Sequence, residues 1–83
     1  MRFRYGALIK LTDEYRKIIE NEIAKEHVKK PKFYKGFLSN QSFVYLGKVA
    51  QMSGHIICAG VLDGKIYVGF HDDDFRELTD DEV

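Results

Sequence analysis

The residue types that most readily bind metal ions stand side by side in the segment His71-Asp72-Asp73-Asp74. Imidazole and carboxylate groups are common ligands of divalent cations. Successive side chains of an extended segment point in opposite directions, so we do not expect these groups to converge on one ion. A calcium loop distributes its ligands along twelve residues with a glycine and a distal glutamate, and that spacing is missing here. We therefore interpret the segment as a solvated acidic turn and predict no metal site.

Catalysis by acid–base or nucleophilic chemistry requires a histidine held beside a serine, a cysteine or a carboxylate. His55 and Cys58 are three residues apart, so on one strand their side chains point to opposite faces. Cys58 is the single cysteine, which excludes an intramolecular disulfide and favours a buried, inert thiol. The motifs of phosphate loops, zinc proteases, dinucleotide sites and serine hydrolases do not occur. We predict a protein that is not an enzyme, with no catalytic residue and no cofactor.

The stronger candidate for a binding site is the basic-aromatic segment, residues 29–35, with the sequence KKPKFYK. Lysines contact phosphate groups, and exposed aromatic rings stack on unpaired bases at about 1–3 kcal/mol each. A structural explanation competes with this one: lysines are common at the negative end of a helix, and the rings could belong to the core. The candidate residues are Lys29, Lys30, Lys32, Phe33, Tyr34 and Lys35, with Arg2 and Arg4 as an extension of the basic patch.

A second candidate is the acidic stretch between residues 72 and 82, which holds seven acidic residues and one arginine. It could dock on a basic surface of a partner, and Asp72, Asp73 and Asp74 are the residues that we assign to that contact. The competing explanation is a solubilising tail. Docking through charge would weaken steeply with salt, whereas an apolar interface would not.

Composition restricts the function classes further. The chain has 83 residues, enough for one domain with a small core, and a net charge of zero. The first 36 residues carry a charge of +5 and the remainder −5, so a basic face and an acidic face can coexist. A neutral total disfavours non-specific coating of DNA. No apolar run approaches the ~20 residues that span a bilayer, and we predict a cytoplasmic protein without a membrane partner.

The elements that must position these residues follow from periodicity. Residues 2–11 alternate between apolar and polar side chains, which predicts a half-buried strand. Residues 13–30 place Tyr15, Ile18, Ile19 and Ile23 on one helical stripe, capped by Thr12 or Asp13 and ended by Pro31. Residues 32–38 are compatible with a short strand or an ordered loop.

Residues 43–70 predict three strands joined by tight turns at Ser53-Gly54 and Asp63-Gly64, and we include them in a meander over residues 32–70. The segment FREL after the acidic turn predicts a 3₁₀ turn or a short closing strand. We expect the acidic end, residues 71–83, to fray at its last five residues. Thr79 and Glu82 have the spacing of a capping box, but no helix follows in the sequence.

The segments LGKVAQMSGHIICAGVLDGKIYVGF and FREL together resemble the small SH3-like barrels of the KOW and Tudor type. Those families share a strand with a central glycine, a turn, a strand, an Asp/Asn-Gly turn, a strand and a 3₁₀ corner before closure. The order of the predicted elements gives an α+β fold, β-α-β-β-β(-β): a small, strongly curved antiparallel sheet or partly open SH3-like barrel with one amphipathic helix after the first strand, a helix that is extra to those families. An open sheet with the helix across one face is the alternative. A fold resemblance does not fix a function.

These observations favour a small cytosolic binding module that contacts another protein, in the style of accessory proteins of bacteriophages or mobile elements. The alternative is a nucleic-acid-binding module that uses residues 29–35. A homo-oligomer is compatible with either prediction.

Overall fold

The computed structural model describes residues 3–83, in which two helices pack against a five-stranded antiparallel sheet of order β4-β3-β2-β1-β5. The α+β class, the antiparallel sheet and a helix after the first strand are confirmed, and residues 3–83 contain a second helix besides the predicted one. The elements are β1 (Leu8–Leu11), α1 (Asp13–Ala24), α2 (Pro31–Ser39), β2 (Phe43–Lys48), β3 (His55–Gly60), β4 (Ile66–His71) and β5 (Phe75–Glu77), with 3₁₀ turns at Asp72–Asp74 and Asp80–Glu82.

The helix predicted over residues 13–30 differs most from the structure in the residues before Pro31. The first helix is capped by the Thr12 side chain, which accepts from the Tyr15 N–H at 3.3 Å, but it ends at Ala24 rather than at residue 30. Glu26 then adopts a left-handed conformation, with φ of 60°, that a continuing helix does not tolerate. Pro31 begins α2 instead of ending α1, because a proline lacks only an N–H that the first turn leaves unpaired anyway.

The second helix occupies the stretch for which we predicted a strand or a loop. Phe33 and Phe37 are four residues apart, so they share one helical face, and Phe37 is fully buried. The meander therefore begins at Phe43 rather than at residue 32. The first strand is also shorter than the predicted residues 2–11, because it begins at Leu8. The residues just before it form a turn in which the Ala7 N–H donates to the Arg4 carbonyl at 2.9 Å.

The connection between the two edges of the sheet determines its curvature. In a flat sheet of five strands the outer strands would lie about 19 Å apart, at ~4.8 Å per step. The turn Asp72–Asp74 joins the outer strands β4 and β5, and a 3₁₀ turn rises only about 2 Å per residue. The sheet must therefore curl until its edges approach each other. In residues 3–83 no ladder pairs β4 with β5, so the sheet is curved and not closed.

A β-bulge in β4 turns two successive aromatic residues toward the core. The pairing register with β3 shifts where Ile57 faces Val68 and Ile56 faces Phe70, which leaves Gly69 as the extra residue with φ of 95°. Strict alternation would send Tyr67 and Phe70 to opposite faces. The bulge lets both contact the Phe37 ring, and Phe70 stacks on it at 4.2 Å between ring centroids.

Both turns of the meander are longer than the predicted two-residue turns, although Gly54 and Gly64 have positive φ values as such turns require. Residues 61–65 connect β3 to β4, and the buried Asn40 holds this loop. The Asn40 amide oxygen accepts from the Leu62 and Asp63 N–H groups at 2.9 and 3.2 Å, and its nitrogen donates to the Asp63 carboxylate. The loop is thereby attached to the C-terminus of α2.

The last residues are held rather than frayed, which contradicts the expectation. Thr79 and Glu82 form a complete capping box around the turn Asp80–Glu82. Arg76 donates to both Glu82 carboxylate oxygens at 2.7 and 2.8 Å. The sequence match to a capping box was therefore meaningful, and the helix that it begins is a single turn. Within residues 3–83, neither helix has the length and apolar character needed to cross a bilayer.

Candidate binding groove

The basic-aromatic segment and the acidic turn, nearly forty residues apart in sequence, line one cavity of about 360 Å³. We call this cavity the aromatic groove. It lies between the start of α1, the first turns of α2, the end of β4 and the following 3₁₀ turn. Its lining residues are Tyr15, Phe33, Tyr34, His55, Val68, Gly69, Phe70, His71 and Asp74.

Phe33 gives the groove an anchored ring with an open surface. It is 44% exposed, whereas Phe37, one helical turn later, is fully buried. The Phe33 ring meets the edges or faces of Tyr34 and Tyr67 at centroid distances of 5.2 and 5.7 Å. Such contacts fix the ring in place. Of the predicted aromatic residues, Phe33 and Tyr34 therefore lie in the groove, and Phe37 belongs to the core.

Asp74 places a carboxylate among these rings. The Thr12 N–H donates to the Asp74 carbonyl at 2.9 Å, which ties the acidic turn to the start of α1. Burial raises the pKa of Asp74, as do the neighbouring carboxylates Asp73 and Asp72, while His71 lowers it. In the part of the chain that the structure describes, no lysine or arginine forms an ion pair with Asp74. This half-buried carboxylate therefore has no lysine or arginine counterion in residues 3–83, and the His71 imidazole is its basic neighbour.

Tyr15 connects the aromatic groove to a second cavity. Burial raises the pKa of Tyr15, and the neighbouring Asp74 and Tyr34 add to the rise. The second cavity, the acidic pocket, measures about 410 Å³ and shares Tyr15 and Asp74 with the groove. Its remaining lining residues are Thr12, Asp13, Glu14, Ile18 and Asp73. Aromatic and acidic surfaces are therefore continuous across Tyr15.

The predicted lysines are exposed, and their place in the fold removes the structural explanation for them. Lys29 and Lys30 precede α2, and Lys32 lies in its first turn. They were expected to neutralise the negative end of a helix, but they stand at the positive end of α2, where the helix dipole disfavours cations. Lys35 is exposed one turn further on. Arg4 is exposed but does not line the groove, and Arg2 lies outside the described residues.

The acidic turn differs from its predicted geometry. Asp72–Asp74 forms a 3₁₀ turn instead of an extended segment. Ligand-type atoms of His71, Asp72 and Asp73 lie within 4.8 Å of one another, so the predicted divergence is wrong. His71 Nδ1 accepts from the Asp73 N–H at 3.2 Å, an interaction that organises the turn itself. We assign no metal to this partly exposed cluster.

Cys58 has the environment expected of a structural thiol. It is fully buried in β3, and burial raises the pKa of its thiol to about 12. A thiol with such a pKa is almost entirely protonated at neutral pH and is a weak nucleophile.

Sequence reasoning did not assign six of the nine lining residues to a binding site: Tyr15, His55, Val68, Gly69, Phe70 and His71. Periodicity assigned Tyr15 to the buried stripe of a helix, and Val68 and Phe70 to a strand. No signal in the sequence indicates that α1 starts beside the end of β4, because that contact depends on how the sheet curls.

No protein-family model, no curated protein and no solved structure matches this chain. The function is therefore argued from the groove.

Proposed function

We propose that this chain is a small cytosolic binding module, without enzymatic activity, that holds a cationic segment of another protein in the aromatic groove. One observation carries the proposal: Asp74 lies among aromatic rings, half-buried and without an ion-pair partner in residues 3–83. The groove thereby offers negative charge and aromatic surface in the same place.

A lysine or arginine side chain fits both features. The faces of aromatic rings attract cations, at about 0.5–1 kcal/mol in exposed sites and about 2 kcal/mol when water is excluded. The raised pKa of Asp74 means that its ionised form is disfavoured in the free protein. A bound cation would relieve that cost, and the acidic pocket beyond Tyr15 would attract further basic residues of the same segment.

Charge also favours a protein partner over a nucleic acid. A backbone phosphate entering the groove would approach Asp74 and the neighbouring Asp73, and like charges repel. A protein segment can combine both signs of charge. Basic residues would face the groove, while acidic residues would face the exposed lysines around the start of α2.

The test uses an acetylated, amidated tetra-arginine peptide as the probe, followed by two-dimensional NMR. We expect shift changes at Tyr15, Tyr34 and Asp74, with an affinity that falls as salt rises. Asp74→Asn should weaken binding about tenfold, which corresponds to about 1.4 kcal/mol. Asp80→Asn is the control, because Asp80 is an exposed carboxylate outside the groove.

Stability separates a binding role from a structural one. Burial disfavours the ionised form of Asp74, but solvent still screens most of its charge, so Asp74→Asn should raise the free energy of unfolding at pH 7 by no more than about 0.5 kcal/mol. A variant that is more stable yet binds less well identifies a functional carboxylate. Equal affinity of Asp74→Asn and Asp80→Asn, or shift changes confined to other surfaces, would refute the proposal.

Nucleic-acid binding is the second candidate, favoured by the exposed lysines beside the half-exposed Phe33. The two functions respond oppositely to one substitution. Asp74→Asn should weaken the binding of a cationic peptide but strengthen that of single-stranded RNA in a filter assay. Combined Lys30→Glu, Lys32→Glu and Lys35→Glu substitutions should abolish RNA binding, with the exposed Lys17→Glu as control. RNA binding that survives the triple variant would eliminate this candidate.

A further inference from the structure

The β4 strand leaves one edge of the sheet open. Within residues 3–83 it pairs with β3 on one side and with no strand on the other. Its side chains at Ile66 and Val68 are 57% and 59% exposed, although both are large and apolar. An exposed apolar edge strand is a template for pairing with another chain.

The backbone of β4 has its free hydrogen-bonding groups at the same two residues. The Gly60 N–H donates to the Lys65 carbonyl at 2.9 Å, and bonded and non-bonded pairs alternate along an antiparallel ladder. Tyr67, two residues later, therefore directs its N–H and carbonyl toward β3. Ile66 and Val68 direct theirs toward the open edge.

The two edges of the sheet are protected differently. The β5 edge carries Arg76 and Glu77 and is flanked by the Arg76–Glu82 ion pair. Charge is a usual protection of an edge strand. The sequence IYVGF of β4 contains neither a charge nor a proline. The bulge at Gly69 confines a regular ladder to the residues before it.

We infer that the β4 edge binds the β4 edge of a second copy of this chain. The two strands would run antiparallel about a two-fold axis, with Tyr67 of one copy opposite Tyr67 of the other. Ile66 then lies beside Val68 of the second copy in a hydrogen-bonded pair. Each exposed apolar side chain thereby gains an apolar neighbour from the other copy.

Three further features support a second copy as the occupant. The strand is self-complementary, because Ile66 and Val68 lie on either side of Tyr67. A two-fold axis at Tyr67 therefore places each of them beside the other residue of the second copy. The chain has a net charge of zero, so two copies do not repel each other overall. The outer face of β3 is apolar beside β4, where Ala59 pairs with Ile66 and Ile57 with Val68, and the contact would continue these apolar rows into the second copy.

Val68 also lines the aromatic groove, so the dimer contact would adjoin the groove of each copy. The inference about the dimer does not depend on the proposed function. Asp74→Asn should leave the dimerisation constant unchanged.

Sedimentation equilibrium over a wide range of protein concentration tests the contact. We expect a reversible dimer for the unmodified chain and at least a hundredfold weaker association for Ile66→Lys/Val68→Lys. The matched control is Val61→Lys/Leu62→Lys, because these residues are 55% and 71% exposed but lie in the loop before β4. A monomer at all concentrations, or equal weakening by the control pair, would overturn the inference.

Two measurements distinguish this edge from other dimer contacts. Mixing Ile66→Lys/Val68→Lys with Ile66→Glu/Val68→Glu should restore a dimer that neither variant forms alone, since opposite charges would then face each other across the two-fold axis. Hydrogen exchange at the Ile66 and Val68 amides should slow as the unmodified chain associates. Association without slower exchange at these two amides would also overturn the inference, because the copies would then be joined elsewhere.

Discussion

At the scale of single residues, Asn40 contributes most to the specificity of the fold. It is fully buried, and every polar atom of its side chain is used. Its amide nitrogen donates to the Gly36 and Phe37 carbonyls and to Asp63, and its oxygen accepts from two backbone N–H groups of the β3–β4 loop. One side chain thereby joins a helix end to a loop more than twenty residues away.

Replacing Asn40 by leucine should destabilise the protein by about 2–3 kcal/mol, because the Leu62 and Asp63 N–H groups lose their acceptor. Urea unfolding followed by circular dichroism measures this loss. Gln41→Ala is the control, because Gln41 is the exposed neighbour and should change stability by less than about 0.5 kcal/mol. Similar values for the two variants would show that the network around Asn40 is dispensable.

At the scale of elements, two glycines illustrate how the same residue serves different backbones. Gly69 forms the bulge that turns Tyr67 and Phe70 inward, and its φ of 95° is one that other residues rarely adopt. Gly36 lies inside α2, where a glycine is a weak helix former and an added Cβ would meet no atom within 4 Å.

Alanine at these two positions should therefore have opposite effects. Gly69→Ala should destabilise the protein by about 1–3 kcal/mol through backbone strain. Gly36→Ala should stabilise it by about 0.5–1 kcal/mol, since alanine loses less entropy in a helix. Thermal unfolding of both variants checks the pair. A stabilising Gly69→Ala would mean that the bulge relaxes and that the inward direction of Phe70 does not depend on it.

At the scale of the whole molecule, the curl of the sheet brings the acidic turn to the first turns of both helices, and it also decides which carboxylates are stabilised. Hydrogen bonds from the Tyr67 hydroxyl and the Lys65 N–H lower the pKa of Asp63. Arg76 has the largest part in lowering the pKa of Glu82. Asp74 responds in the opposite direction, because burial raises its pKa.

Acid should therefore destabilise the fold through Asp63 and Glu82. Their folded pKa values are lowered, so the stability that they contribute is present above their unfolded values, about pH 4, and is lost as pH falls through the folded values. The raised pKa of Asp74 has the reverse consequence. Its stabilising contribution is present below about pH 4 and is lost as pH rises through the folded value.

Urea unfolding between pH 7 and pH 2 measures these contributions. Asp63→Asn combined with Glu82→Gln should flatten the loss of stability below about pH 4. In the unmodified chain, the unfolded state takes up protons at these two carboxylates in that range before the folded state does. Asp74→Asn should steepen the loss, because the compensating protonation of Asp74 is removed. An unchanged profile in the double variant would assign the acid sensitivity to other groups.

Local chemistry in the sequence determined much of the fold. Alternation and turn glycines located β2, β3 and β4, since these patterns depend only on neighbouring residues. The helical stripe after Thr12 located α1, but the end of that helix and the identity of α2 were wrong. Pro31 is compatible both with ending a helix and with beginning one, and sequence periodicity does not distinguish the two over nine residues.

The sequence also supplied the main candidate residues of the binding site, Phe33, Tyr34 and Asp74, but as members of two unrelated segments. The folded chain brings them into one groove, buries Phe37 in the core and adds Tyr15 and Phe70 to the groove lining. The reason is physical: a three-residue connection between opposite edges forces the sheet to curl, and this contact between distant segments leaves no periodic signal in the chain.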